Sequence, residues 1–181
     1  MIRSLGTKTP KIHPDAFVSE AAYVVGDVEI GEGSSIWPGV VIRANHHKIK
    51  IGKFVNIQDN AVIHSDEEAS YGDHVTIGHS VMSHASSVEE YCLIGNGAVV
   101  NSYSNIGHHS LVGSGAVVLE QVVIPPGSLV LGAPAAVKRE VMERPRELID
   151  RIWKEYWDNA QEFKKSGLQD PDQDKFTDPN V

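Results

Sequence analysis

The sequence predicts an all-β fold: a parallel β-helix closed by one C-terminal α-helix. Three observations predict it. An aliphatic residue returns at nearly every sixth position from Ile12 to Val130. Glycine often follows that residue, as at Gly31, Gly52, Gly78, Gly95, Gly107 and Gly113. Past Pro134 the six-residue period stops, and an apolar stripe at helical spacing replaces it.

The ladder comes first. Ile12, Val18, Val24, Ile30, Ile36 and Ile42 are evenly spaced. Ile51, Ile57 and Ile63 follow, then Tyr71, Ile77 and Ser83. From Val88 the period is unbroken through Ile94, Val100, Ile106, Val112, Val118, Ile124 and Val130. No α-helix repeats every six residues, and a hairpin strand alternates every two. One short strand plus one turn fits the period, and stacked units of this kind make a β-helix. Four residues after a rung the side chain is often small or β-branched, as at Ala16, Ser34, Ala61, Cys92 and Ser110, which suits a tight corner. Three steps break the period: Ile42 to Ile51, Ile63 to Tyr71, and Ser83 to Val88. Local disturbance of a regular array marks a place where function concentrates.

The helix is expected over Arg144 to Lys165, with Pro145 in its first turn. Leu148, Ile149, Ile152, Trp153, Tyr156, Trp157, Ala160 and Phe163 form one stripe, expected to pack on a prism face. The domain limits read as 1–136 for the β-helix, 137–166 for the helix and 167–181 for a flexible tail rich in Asp, Gln and Pro. The first coil is expected to cap the prism.

Composition excludes several function classes. The 181 residues carry a net charge of −8 without a dense Lys/Arg cluster, which argues against nucleic acid. Cys92 stands alone, so no internal disulfide can form, and a reducing compartment is implied. The N-terminal stretch lacks a hydrophobic signal region, and no apolar run is long enough to span a membrane. A cytoplasmic location is expected.

The hexads resemble those of left-handed β-helix, hexapeptide-repeat proteins, whose coils hold three hexads each. By that resemblance twenty rungs make nearly seven coils, about 30 Å tall at about 4.8 Å per coil. Counting hexads from Ile12 in threes then assigns faces: face I through Ile12, face II through Val18 and face III through Val24. Ile63 and Ser83 are the ninth and twelfth rungs, both on face III and one coil apart. His64 and His84 follow them directly and should stack, pointing outward, in a column that reads Arg43, His64, His84, Asn101. Two imidazoles so spaced can share one metal ion. His79 belongs to the eleventh hexad, on another face. It can complete a three-histidine site only from a neighbouring copy, which predicts a ring of three subunits.

Arg43-Ala-Asn45, Asn56-Ile-Gln-Asp59 followed by Ile63-His64, and Thr76-Ile-Gly-His79 followed by His84 resemble γ-class carbonic anhydrases. Gly33-Ser-Ser-Ile-Trp37 and Ile124-Pro-Pro-Gly-Ser-Leu-Val-Leu-Gly-Ala-Pro134 resemble that family too. The resemblance implies zinc held by His64 and His84 of one subunit and His79 of the next in a homotrimer. Three imidazoles also suit Fe(II) or Co(II). It places Gln58 near the metal's water and gives Arg43 and Asp59 the role of polar links at the interface. Asn101 and Tyr103 are expected to line the pocket. The implied reaction is reversible hydration of CO2 to bicarbonate. Zinc lowers the pKa of a bound water to about 7, which that reaction needs at neutral pH. His46 and His47 are proton-shuttle candidates because histidine as a residue type can take up and release a proton near neutral pH, with Glu67 and Glu68 weaker ones.

The sequence also departs from the family. Arg43-Ala44-Asn45 stands where Arg-Gly-Asp is common, so Asn45 brings no carboxylate to the interface. Ser83 replaces an aliphatic rung, Ala85-Ser86 replaces a common Gly-Cys, and the long acidic loop of the founding enzymes is absent. Two other function classes therefore stay open on the same fold: a metal-dependent thioester hydrolase or acyltransferase, and a metal-binding or assembly subunit without catalysis.

Overall fold

The computed structural model describes residues 1–181 apart from the side chains of 144–146, so the expected place of Pro145 lies outside the described residues. Short parallel strands, most of them two residues long, stack into a left-handed β-helix. The pairing register reproduces the three columns. Face I runs Ile12, Ile30, Ile51, Tyr71, Val88, Ile106, Ile124. Face II runs Val18, Ile36, Ile57, Ile77, Ile94, Val112, Val130. Face III runs Val24, Ile42, Ile63, Ser83, Val100, Val118, with Ile2 as a further rung beside Val24. None of the twenty predicted rungs is more than 3% exposed. Burying them is what holds two-residue strands in place, since each coil satisfies the backbone groups of the next. Glycine after a rung is required by that stacking. A Cβ on Gly95 would lie 2.5 Å from the Ser114 backbone nitrogen.

Ser83 among the aliphatic rungs has a physical reason. Tyr71, in the same coil, reaches across the axis, and its hydroxyl lies 2.7 Å from Ser83 Oγ with both residues buried. The small rung makes room for the large one and satisfies its phenol. Tyr71→Phe or Ser83→Ala alone should each cost about 1–3 kcal/mol, because each leaves a buried hydroxyl unpaired. The double variant should cost less than the sum, read by urea denaturation.

Two long strands, Tyr23–Ile30 and Val41–Ile51, run continuously round the corner from face III to face I. Their register jumps from Gly26 opposite Ala44 to Val28 opposite Ile49, so residues 45–48 bulge outward. The first long step of the ladder is this bulge. Lys8 Nζ pins it by donating to the carbonyls of Asn45, at 2.8 Å, and His46, at 2.6 Å.

The outer surfaces of the faces differ. Face I presents Lys11, Glu29, Lys50, Ser70, Ser87 and Asn105. Face II presents Phe17, Ser35, Asn56 and Thr76, all buried beneath helix α1 (Glu143–Lys165) of the same chain. Trp37 packs on Tyr156 and Phe163 with ring centroids 5.2 and 5.0 Å apart. Face III presents Tyr23, Val41, Val62, Met82, Val99 and Val117, an apolar column that no element of the chain covers among the described residues. No helix among the described residues is long and apolar enough to cross a membrane.

Both ends correct the expected boundaries. Ala136–Glu140 continues the β-structure beyond 136, as an antiparallel strand against Ser128–Leu131 that closes the top of face II. The expected flexible tail is instead docked under the first coil and takes over its capping role. Gln173 is 1% exposed, accepts from the Val18 N–H at 3.1 Å and donates to the Ala16 carbonyl at 2.9 Å. The Asp178 N–H donates to the Ile12 carbonyl at 2.9 Å. A bare first coil would leave a row of unpaired backbone groups, and the tail satisfies them.

The corner from face I to face II holds a buried histidine. His74 is stacked between Phe54 and Tyr91 at 5.6 and 4.5 Å, with Trp153 of α1 at 4.5 Å. Burial pushes its pKa below the usual imidazole range, against the opposing pull of Asp73 and Asp150. Below about pH 6.5 the unfolded chain therefore binds a proton that the folded one resists. Stability should fall as the pH drops from 6.5 towards the lowered folded-state value. His74→Phe should lessen that fall, measured by denaturation at pH 7.5 and 5.5.

Candidate metal centre

The column on face III is present. Arg43 pairs with His64, and Ser83, beside His84, pairs with Ile63 and Val100. The His64 and His84 rings stand 5.0 Å apart, centroid to centroid, at 87°. Two imidazoles sharing one tetrahedral ion at about 2.0–2.1 Å have centroids about 5 Å apart, so the pair fits a zinc-sized ion.

The outer nitrogens are already engaged. His64 Nδ1–H donates to the Arg43 carbonyl at 2.7 Å. That bond fixes the tautomer and leaves the Nε2 lone pair free. Burial also pushes the His64 pKa down, favouring the neutral ring that a metal needs. His84 Nδ1 lies 3.4 Å from Ser102 Oγ and 3.9 Å from Asp66 Oδ2. Ser102 and Asp66 were not singled out from sequence. Asp66 falls in the second lengthened step of the ladder, and that irregularity was the available signal.

The other expected residues gather elsewhere. His79 sits on the corner from face II to face III, with Nδ1 3.1 Å from Asp59 Oδ2. Its backbone N–H donates to Asn96 Oδ1 at 3.1 Å. Gln58, next to Asp59 and 5% exposed, donates to Asn56 Oδ1 at 3.0 Å on face II. Within one chain it therefore accompanies His79 rather than the stacked pair. Among the described residues no group of three or more His, Cys, Asp or Glu side chains could hold a metal ion within one chain. The candidate residues therefore fall into two separate clusters, each a candidate half-site: His64 and His84 with Arg43 and Asn101 on face III, and His79 with Gln58 and Asp59 at its margin.

The remaining expectations divide. Arg43 Nη1 donates to Asn45 Oδ1 at 2.6 Å, so the departure from a carboxylate leaves the guanidinium a neutral partner in its own chain. Asp59 meets His79 and, among the described residues, no arginine. Asn101 donates to the Val118 carbonyl at 2.7 Å, one coil above His84. Tyr103 is a left-handed corner residue, φ +61° and 44% exposed. His46 and His47 are exposed on the 45–48 bulge, one coil below His64. Glu67 accepts a hydrogen bond from Ser86 Oγ in the coil above.

The chain is similar to known proteins to different extents. A family described as bacterial transferase hexapeptide (six repeats) matches residues 9–44. The carbonic anhydrase of Geobacillus kaustophilus is 40% identical over 166 residues, 91% of each chain. Gamma carbonic anhydrase 2, mitochondrial, of Arabidopsis thaliana is 35% identical over 85% of this chain and 58% of its own length. Among solved structures, a hexapeptide transferase family protein from Anaplasma phagocytophilum superposes with a TM-score of 0.85 at 28% identity, covering 88% of this chain and 96% of that one. With the histidine column, the coil register and identity across nine-tenths of the Geobacillus relative, the chain belongs to the γ-class carbonic anhydrase family.

Proposed function

We propose that this protein hydrates CO2 reversibly at zinc sites shared between the subunits of a homotrimer. The observation that carries the reading is the His64–His84 pair, with the outer nitrogen of each ring engaged and the pair lying on the one apolar face left open. A second copy seated on face III would cover Tyr23, Val62 and Met82, which a single chain leaves to water. His79 stands at the margin of that face, from which it would reach a neighbour's pair.

His64 and His84 would hold the ion from one side and His79 from the partner subunit. Zinc held by three neutral imidazoles keeps its full charge and supplies a water that ionises near neutral pH. The chain's own residues do the rest. The Arg43 carbonyl keeps the His64 lone pair turned towards the ion. Ser102 and Asp66 do the same for His84. Gln58 accompanies His79 and would orient a small polar ligand across the interface. His46, His47 and Glu67 are the groups able to pass a proton outward by side-chain motion.

The test is CO2 hydration by stopped flow on protein of measured zinc content, with the mass of the particle from light scattering. A rate above buffer from a zinc-loaded trimer is expected. Fully loaded protein without such a rate, or a monomer with bound zinc, would overturn the reading. A second reading, acyl transfer, is favoured by the transferase family match over residues 9–44. Turnover of an acyl-coenzyme A by the same sample, in place of CO2 hydration, would establish it.

A further inference from the structure

One contact joins helix α1 to the half-site at the margin of face III. The Tyr156 hydroxyl lies 3.4 Å from His79 Nε2. Its ring stands edge-on to Trp37 at 5.2 Å, so packing of the helix decides where that hydroxyl sits. The Asp59 carboxylate, 3.1 Å from Nδ1, favours a proton on that nitrogen. Nε2 is then the acceptor of the ring, and the phenol O–H is the donor. A neutral imidazole has one lone pair, on one nitrogen. Nε2 can accept the Tyr156 proton or bind a metal ion, but not both.

We propose that Tyr156 caps the metal-binding nitrogen of His79 in the unloaded chain, so that helix α1 competes with the ion for it. The proposal rests on the reading of His79 as a ligand shared between subunits. Loading must break the Tyr156–His79 contact. The hydroxyl is then released into the cleft between subunits, and the middle turns of α1 lose one anchor. The contact is long and only partly buried, so the competition is modest: removing it should tighten zinc about fivefold. A purely structural role for Tyr156 predicts the opposite sign, because a loosened helix would weaken the site.

The experiment measures zinc affinity of the trimer by competition with a chromophoric chelator, in wild type, Tyr156→Phe, Tyr156→Leu and His84→Ala. Both Tyr156 variants keep an apolar group against Trp37, and thermal melting checks their folding. The expected result is about fivefold tighter zinc in both. In wild type only, amide exchange over 153–160 should also rise on zinc addition. Equal or weaker binding in the Tyr156 variants, with binding lost in His84→Ala, would overturn this proposal alone. Zinc binding that survives His84→Ala would overturn the shared-histidine reading and the role of Tyr156 with it.

Discussion

His84→Ala should lower zinc affinity and CO2 hydration together, each by at least about 100-fold. Changes to groups that only orient a metal-bound histidine typically cost 10- to 100-fold. This change removes the ligand itself. With His84 gone, a shared ion keeps His64 and a partner's His79, and two imidazoles hold zinc far more weakly than three. The effect should be specific, because His84 points out of the prism while Ser83 and Ala85 on either side are buried. The ladder is untouched, so thermal stability of the metal-free protein should change little. His109→Ala, at another corner, is the matched control and should leave zinc content unchanged. Retained zinc and retained rate in His84→Ala would remove the basis for the site.

The histidine column was legible because a period fixes geometry. Three irregular steps could have spoiled the count, and they did not. The extra residues after Ile42 bulge out at 45–48 without adding a strand, so Ile63 and Ser83 keep their places on face III. The separation of His79 from that pair was legible for the same reason, as an exclusion: its hexad could not stack on the other two.

What was not legible involves contacts that no period encodes. Ser102 and Asp66 meet His84 from a neighbouring coil and from an irregular corner, and their side chains had to be placed before they could be seen. Tyr156 looked like one more member of an apolar stripe, and its ring does pack; only its hydroxyl reaches the site. His74 carries no mark of its burial in the sequence, because that burial comes from Phe54, Tyr91 and Trp153 in other coils and in the helix. The polar tail read as flexible by composition. Composition does not register that the first coil of a β-helix has an open edge for Gln173 and Asp178 to satisfy.

Met82→Lys should break the assembly into monomers and abolish the shared site while leaving the fold intact. Met82 lies in the apolar column of face III, between Val62 and Val99 and next to the Ser83 rung that precedes His84. In a single chain its side chain points outward, so a lysine there can extend into water and the coil register need not change. In a trimer the same lysine would be pressed into an apolar interface. An unpaired buried charge costs about 3–5 kcal/mol, and each of three interfaces would carry one. That exceeds what the loss of one methionine contact could explain and should dissociate the particle at micromolar concentration. A lysine on face I, at Ser87, is the control: that face is already lined by Lys11, Glu29 and Lys50 and should tolerate it. Light scattering gives the mass, far-ultraviolet circular dichroism the fold, and a chelator assay the zinc. The expected outcome for Met82→Lys is a folded monomer that binds zinc weakly, because His64 and His84 are left without a partner's His79. A Met82→Lys protein that stays trimeric would show that face III is not where the subunits meet, and a monomer that holds zinc as tightly as wild type would show that the site is not shared between them.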